Sequence, residues 1–140
     1  MIKVCKGDIL DTSAKVIVNP VDCFGWFSGE LASRIKEKWP MVYQEYARVC
    51  DREYDYPIAL LGSTLIVSIG KRYIANCFAE SNQIEFGDGL LEEDFKKGLA
   101  HIRDFAEGIS ADIAIECNAA KNIIYEVFAD YGGTVMIYRN

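Results

Sequence analysis

Short aliphatic and β-branched runs alternate along this chain with stretches in which apolar residues return every three or four positions. The first rhythm marks strands, the second amphipathic helices. Strand-like runs fall at Lys3 to Cys5, Lys15 to Asn19, Thr64 to Val67, Arg72 to Phe78, Asp112 to Cys117 and Thr134 to Tyr138. Leu31, Ile35 and Trp39 predict a helix that starts near Ser28, its expected N-cap. Pro40 suits the first turn of a second helix, striped by Val42, Tyr46 and Val49. Leu91 to Glu107 is the clearest helix. Leu91, Phe95, Leu99, Ile102 and Phe105 share one face, with Glu92–Lys96 and Glu93–Lys97 as i,i+4 pairs on the other. Ala119 to Tyr131 predicts the last helix, with Ile123, Ile124, Val127 and Phe128 inward and Gly132 as the C′ residue. Gly70-Lys71 reads as the tight turn of a hairpin. Asp51 to Pro57 and Glu80 to Gly89 predict loops, the second long enough to carry function.

Strands and helices that alternate, with strands apolar on both faces, imply an α/β fold. Helices cover both sides of a mixed, largely parallel sheet, and the hairpin adds antiparallel character. The 140 residues fit one domain, 1–140, without a linker, internal repeat or low-complexity tract.

Composition narrows the function classes. With 15 basic and 21 acidic residues the formal charge is −6, and no Lys/Arg cluster marks a nucleic-acid surface. An acidic chain repels phosphates at long range, so an anionic ligand must be caught locally by backbone N–H groups or helix N-termini. No run is long enough to span a membrane, and Met1-Ile2-Lys3-Val4-Cys5 begins a strand without an apolar leader. The 5 cysteines, Cys5, Cys23, Cys50, Cys77 and Cys117, are widely spaced without a metal-ligand pattern. Reduced core thiols in a cytoplasmic protein are the expectation. No metal or cofactor is expected, and the oligomeric state stays open. His101, the single histidine, lies on a predicted helix and reads as a surface or groove residue.

Candidate chemistry concentrates where Gly7-Asp8-Ile9 and the strand ending Asn19-Pro20-Val21-Asp22-Cys23 would meet. Ligands of open α/β sheets sit at the carboxyl ends of strands, so Asp8, Asn19 and Asp22 can converge on one crevice. Gly25 and Gly29 allow a backbone to approach a phosphate ahead of a helix N-terminus. Trp26 and Phe27 are apolar loop residues fit to cover a ligand, a partner or the core edge. Phe78 at a strand end can stack on a base or fill the core.

These residues resemble a macro domain. Members of that family open with a G-D-I turn, a V-N strand end and a glycine-rich loop leading into a helix. The chain is most similar to the single-domain ADP-ribose-1''-phosphate phosphatase and DNA ADP-ribosyl glycohydrolase branch. Val18-Asn19-Pro20-Val21-Asp22-Cys23-Phe24-Gly25 through Leu31-Ala32 matches its first loop, Trp39-Pro40-Met41-Val42-Tyr43 its second helix, and Ile74-Ala75-Asn76 its I-A-N strand. The resemblance covers residues 7 to 50 well and 72 to 105 loosely; the last third agrees in element order alone. It implies a three-layer α/β/α fold that binds ADP-ribose or a related nucleotide. The partner is then a small ADP-ribose-like molecule or an ADP-ribosylated macromolecule.

The resemblance places adenine at Asp8 and Ile9, the diphosphate near Gly25, Ser28 and Gly29, and the distal ribose near Asn19 and Asp22. Four departures stand out. Asp22 replaces the family's Asn, which makes it the candidate catalytic base if burial raises its pKa. Glu30 sets a carboxylate beside the first phosphate loop. Ile115-Glu116-Cys117-Asn118-Ala119-Ala120 runs toward a helix without a second phosphate loop, and the glycohydrolases' lysine has no counterpart near Glu80-Ser81-Asn82. Two functions follow: a site for ADP-ribose, with or without hydrolysis of an ADP-ribosyl or terminal phosphate bond, or a non-catalytic interaction module using the Trp26-Phe27 pair. The compact form suits a phage or bacterial protein.

Overall fold

The computed structural model describes residues 1–83, 87–116 and 120–139. Its strands are β1 (Ile2–Cys5), β2 (Val16–Asp22), β3 (Thr64–Ser68), β4 (Tyr73–Gln83), β5 (Gly87–Leu90), β6 (Ile113–Glu116) and β7 (Val135–Tyr138). The helices are α1 (Glu30–Lys38), α2 (Pro40–Arg52), α3 (Glu92–Gly108) and α4 (Lys121–Val127). Short 3-10 turns at Ile9–Asp11 and Pro57–Leu60 complete the order.

The sheet runs β1-β7-β6-β2-β4-β3, and β5 pairs with β4. The pairs β1/β7, β7/β6, β6/β2 and β2/β4 are parallel. The β3/β4 pair is antiparallel, as the turn at Gly70 (φ 102°) predicts. Side chains alternate between the faces of each strand. Ile17, Val21, Ile74, Phe78 and Ala114 bury one face together with Leu31, Ile35, Val42 and Tyr46 of α1 and α2. Val16, Val18, Ala75, Cys77, Ile113 and Ile115 bury the other with Phe95, Leu99, Ile102 and Ile124 of α3 and α4. The three-layer mixed α/β arrangement is therefore as expected.

Several elements differ from the sequence reading. β2 continues through Pro20 to Asp22, three residues beyond Asn19. The stretch expected as a loop from Glu80 is strand: β4 extends to Gln83 and pairs antiparallel with β5 (Glu80↔Leu90, Ser81↔Gly89). The cap of α1 is Gly29, not Ser28, with φ 106°. Trp39 leaves the helical stripe and joins α1 to α2, its N–H bonding the Ile35 carbonyl at 2.7 Å. Lys96 reaches across to Glu126 of α4 at 2.8 Å instead of pairing with Glu92. The last helix ends at Val127, capped by Phe128, so Gly132 plays no C′ role. Cys5, Cys23, Cys50 and Cys77 are free thiols; Cys117 lies outside the described residues. Among the described residues no helix is long and apolar enough to cross a membrane.

One contact went unpredicted. Gly98, inside α3, lies so close to β4 that a Cβ built on it overlaps Cys77 Sγ and comes within 3.6 Å of Thr64 Cγ2. Alanine favours an exposed helix interior over glycine by about 1 kcal/mol, yet Cys77 is 0% exposed and has little room to yield. Gly98→Ala is expected to destabilise the fold by about 1–3 kcal/mol. Combining it with Cys77→Ala should recover part of that loss in urea unfolding; purely additive effects would show that the contact does not set the helix–sheet spacing.

Candidate functional site

The carboxyl ends of β2, β4 and β6 point the same way, and alternation selects what they present. Asn19 shares the α1/α2 face with Ile17 and Val21, and Glu116 with Ala114; Glu80, beyond a register slip that follows Phe78, lines the same pocket. The first turn of α1 closes over them. The result is a pocket of about 240 Å³ lined by Asn19, Glu80, Glu116 and the segment from Ser28 to Ala32, with Pro20 at its edge.

Asn19 is 1% exposed. Its Nδ2 donates to Asn76 Oδ1 at 2.9 Å, and Asn76 Nδ2 donates to the Leu65 carbonyl at 3.1 Å. That chain fixes the amide orientation and leaves Asn19 Oδ1 without a partner. Buried acceptors are almost always satisfied, so an orphan one marks a place for a donor. On the facing wall α1 begins at Gly29 with no side chain capping its first turn. Its free N–H groups and the positive end of its dipole suit an anion. Ser28 and Gly29 are exposed there.

Glu80 is the residue that the sequence reading missed. Burial, helped by the Asp22 charge, pushes its carboxyl up to about 7 from 4.5. A half-ionised carboxyl in a pocket is suited to proton transfer near neutrality. The polar side chain of Glu80 at the carboxyl end of a strand would have pointed to it, had the strand not been ended at Phe78. Glu116 follows by alternation from Ala114.

Asp22 is held differently from a free base. Past Val21 the β2/β4 register slips, and Asp22 lies opposite Glu80. The slip turns the carboxylate toward α2. There Oδ1 accepts from the N–H of Phe24 (2.8 Å), the N–H of Trp26 (3.2 Å) and the hydroxyl of Tyr46 (2.7 Å). Oδ2 accepts from the Phe27 N–H at 2.9 Å. Tyr46 also donates to the Asp22 carbonyl and accepts from the Gly25 N–H at 3.1 Å. Burial and the Asp22 charge hold its phenol far above the usual range, so it remains a donor. This network shapes the loop from Cys23 to Ser28, with Gly25 at φ 90° and Phe27 in the left-handed region at φ 52°.

The aromatic candidates separate. Trp26 is 52% exposed, whereas Phe27 is 3% exposed and packs on Tyr46 with centroids 4.7 Å apart. Phe78 is 1% exposed and stacks on Tyr46 at 5.8 Å, which corrects the expectation that it meets a base. Ile9 is core at 1% exposure, and its carbonyl accepts from the Thr12 N–H at 3.1 Å.

Asp8 caps the first 3-10 turn: Oδ1 accepts from the Leu10 N–H at 3.0 Å, and Oδ2 pairs with Arg34 of α1. The Leu10 bond and the Arg34 guanidinium hold its carboxyl below the usual range. Asp8, Leu10, Asp11, Arg34, Glu37 and Lys38 line an open depression of about 380 Å³. Arg34 lies one turn along α1 from Glu30 and feels the charges of both Glu30 and Glu116. It therefore stands between this depression and the Asn19 pocket. Of the stretch expected to lack a second phosphate loop, 115–120, residues 117–119 fall outside the described residues.

No protein-family model matches the chain. The structure is similar to the macrodomain of Thermus aquaticus DarG, with a TM-score of 0.81 and 19% identity over 100% of this chain and 98% of that one. It is similar to a macrodomain protein from Streptomyces coelicolor, with a TM-score of 0.82 and 16% identity over 100% of this chain and 99% of that one. It also matches Thermosipho africanus DarTG, solved in complex with ADP-ribose, with a TM-score of 0.80 and 15% identity over 99% of this chain and 41% of that one. In sequence it is 32% identical over 73 residues to an ADP-ribose 1''-phosphate phosphatase of Debaryomyces hansenii, covering 48% of this chain and 41% of that protein. The match spans less than half the length of that relative. The chain has the macrodomain fold that the residues around Asn19 resemble.

Proposed function

We propose that the chain binds ADP-ribose or a closely related nucleotide and hydrolyses the bond joining its distal ribose to another group. The observation that carries this is the pairing of two unmet needs across one pocket: free N–H groups at the start of α1 and the orphan Asn19 Oδ1. The first take a diphosphate, the second a ribose hydroxyl. Adenine then lies toward Asp8, with the Ile9 backbone beside it. Arg34 is placed to follow the diphosphate.

Glu80 is the proposed proton carrier. A water oxygen bonds the anomeric carbon as the bond to the leaving group breaks and its electron pair departs with that group. The water's proton passes to the Glu80 carboxylate and from there to the leaving atom. Asp22, with four donors on its carboxylate, is proposed to position the loop instead of acting as base. Glu80 and Glu116 line the sheet side of the pocket, across from the α1 N–H groups that take the diphosphate, and would repel a terminal phosphate dianion there, so an ADP-ribosyl bond suits the site better than a phosphomonoester. The interaction-module alternative drew on the acidic charge, on Glu30 and on an exposed Trp26-Phe27 pair; of that pair only Trp26 is exposed, and Phe27 is buried.

Calorimetry with ADP-ribose, AMP and adenosine tests the reading. ADP-ribose binding well above AMP is expected; no binding at millimolar ligand would overturn it. Asp8→Ala is expected to weaken ADP-ribose by at least tenfold, about 1.4 kcal/mol. An unchanged Kd would overturn the placement of adenine.

A further inference from the structure

We infer that the pocket selects its substrate by the group attached to the distal ribose, and that this group is a nitrogen-linked cation of the guanidinium class. The inference rests on reading the pocket as an ADP-ribose site and names what that site accepts.

Its carboxylates Glu30, Glu80 and Glu116 face a small volume that, among the described residues, no lysine or arginine lines. Arg34, which feels Glu30 and Glu116, is turned to Asp8. The Asp22 charge beside Glu80 adds to the negative field. Glu80 and Glu116 are partly buried while Glu30 is exposed; carboxylates held so without a paired cation are costly, and a neutral leaving group would leave them so.

Three occupants would relieve this field. A metal ion is disfavoured because, among the described residues, no His, Cys, Asp or Glu cluster is arranged to hold one. An ammonium is a point charge, while Glu116 on β6 and Glu80 on β4 flank β2 from opposite sides. Strands two apart are roughly 10 Å from each other at the backbone. A guanidinium is planar, keeps four donors when one nitrogen carries the ribose, and can bridge separate acceptors. The unpartnered Asn19 Oδ1 on β2, between the two glutamates, gives a ribose hydroxyl or a guanidinium N–H a third point of attachment. On hydrolysis the water oxygen joins the anomeric carbon and the C–N bond gives its pair to nitrogen. The water's proton travels through Glu80 to that nitrogen, releasing ADP-ribose and a free guanidinium.

The test compares peptides carrying ADP-ribose on arginine and on serine, with free ADP-ribose as reference, on the full chain and on the Glu30→Gln/Glu116→Gln variant. The expected result is at least tenfold tighter binding and faster turnover of the arginine-linked peptide, falling below threefold in the variant. Free ADP-ribose that binds without discrimination, or with preference for the serine link, would overturn the inference and leave the proposed function standing. If free ADP-ribose fails to bind, that function falls, and a titration with methylguanidinium followed by NMR at the Asn19 amide decides the rest. A saturable shift lost in the variant supports a cation pocket; a flat titration overturns it.

Discussion

Asp22→Ala is expected to lower the unfolding free energy by about 4 kcal/mol, among the largest effects of any single substitution in this chain. Asp22 is 2% exposed. Its removal strands the N–H groups of Phe24, Trp26 and Phe27 and leaves the Tyr46 hydroxyl only the backbone carbonyl of residue 22 as acceptor. Each buried donor left without an acceptor costs about 1–3 kcal/mol, offset in part where water reaches the exposed side of the loop. The substitution also frees Phe27 from its left-handed conformation, which recovers about 1–2 kcal/mol of strain. Tyr46→Phe removes one donor from the same carboxylate and should cost far less. Urea unfolding compares the two, and the exposed Trp26 reports whether the loop detaches before the core. A loss under 1 kcal/mol with abolished turnover would reverse the assignment and make Asp22 the catalytic base.

Legibility in the sequence followed the range of the interactions. The strands of the core, the helix that became α3 and the Gly70 hairpin were readable because periodicity and turn chemistry are local. β2 was cut short because Pro20 looks like a strand terminator, yet the parallel pairing with β4 runs through Pro20↔Cys77. Asn19 and Asp22 were legible as polar residues at a strand end. Their roles were not, since Asp22 depends on Tyr46, 24 positions away, and Asn19 on Asn76, 57 positions away. Glu80 was hidden by the assumption that Asn, Asp and Gly after it make a loop; pairing with β5 overrides that composition. The acidity of the pocket is a tertiary fact, assembled from α1, β4 and β6, that no local pattern encodes.

Glu80→Gln should separate catalysis from stability. The folded carboxyl lies at about 7, above its ordinary 4.5, because burial disfavours the charged form. Its contribution to stability is thus fully present below the unfolded value and is lost as pH rises through about 7. Between pH 5 and 8 the ligand-free protein should lose on the order of 1–2 kcal/mol relative to Glu80→Gln, after discounting for the solvent that reaches the carboxyl. Catalysis runs the other way. The proposed base works only when ionised, so kcat should rise with pH to a plateau, with its midpoint near that same value. A cation bound beside Glu80 would draw the midpoint lower in the substrate complex, which kcat and kcat/KM profiles resolve separately. Glu80→Gln removes the carrier and should reduce kcat by about 10²–10⁴-fold, with a smaller rise in KM because the same carboxylate helps hold the cation. A protein made more stable at pH 8 and less active by the same substitution is what a functional group buried at a cost to the fold predicts. Full activity in Glu80→Gln, or a pH profile unmoved by it, would remove Glu80 from the reaction and leave the pocket as a binding site alone.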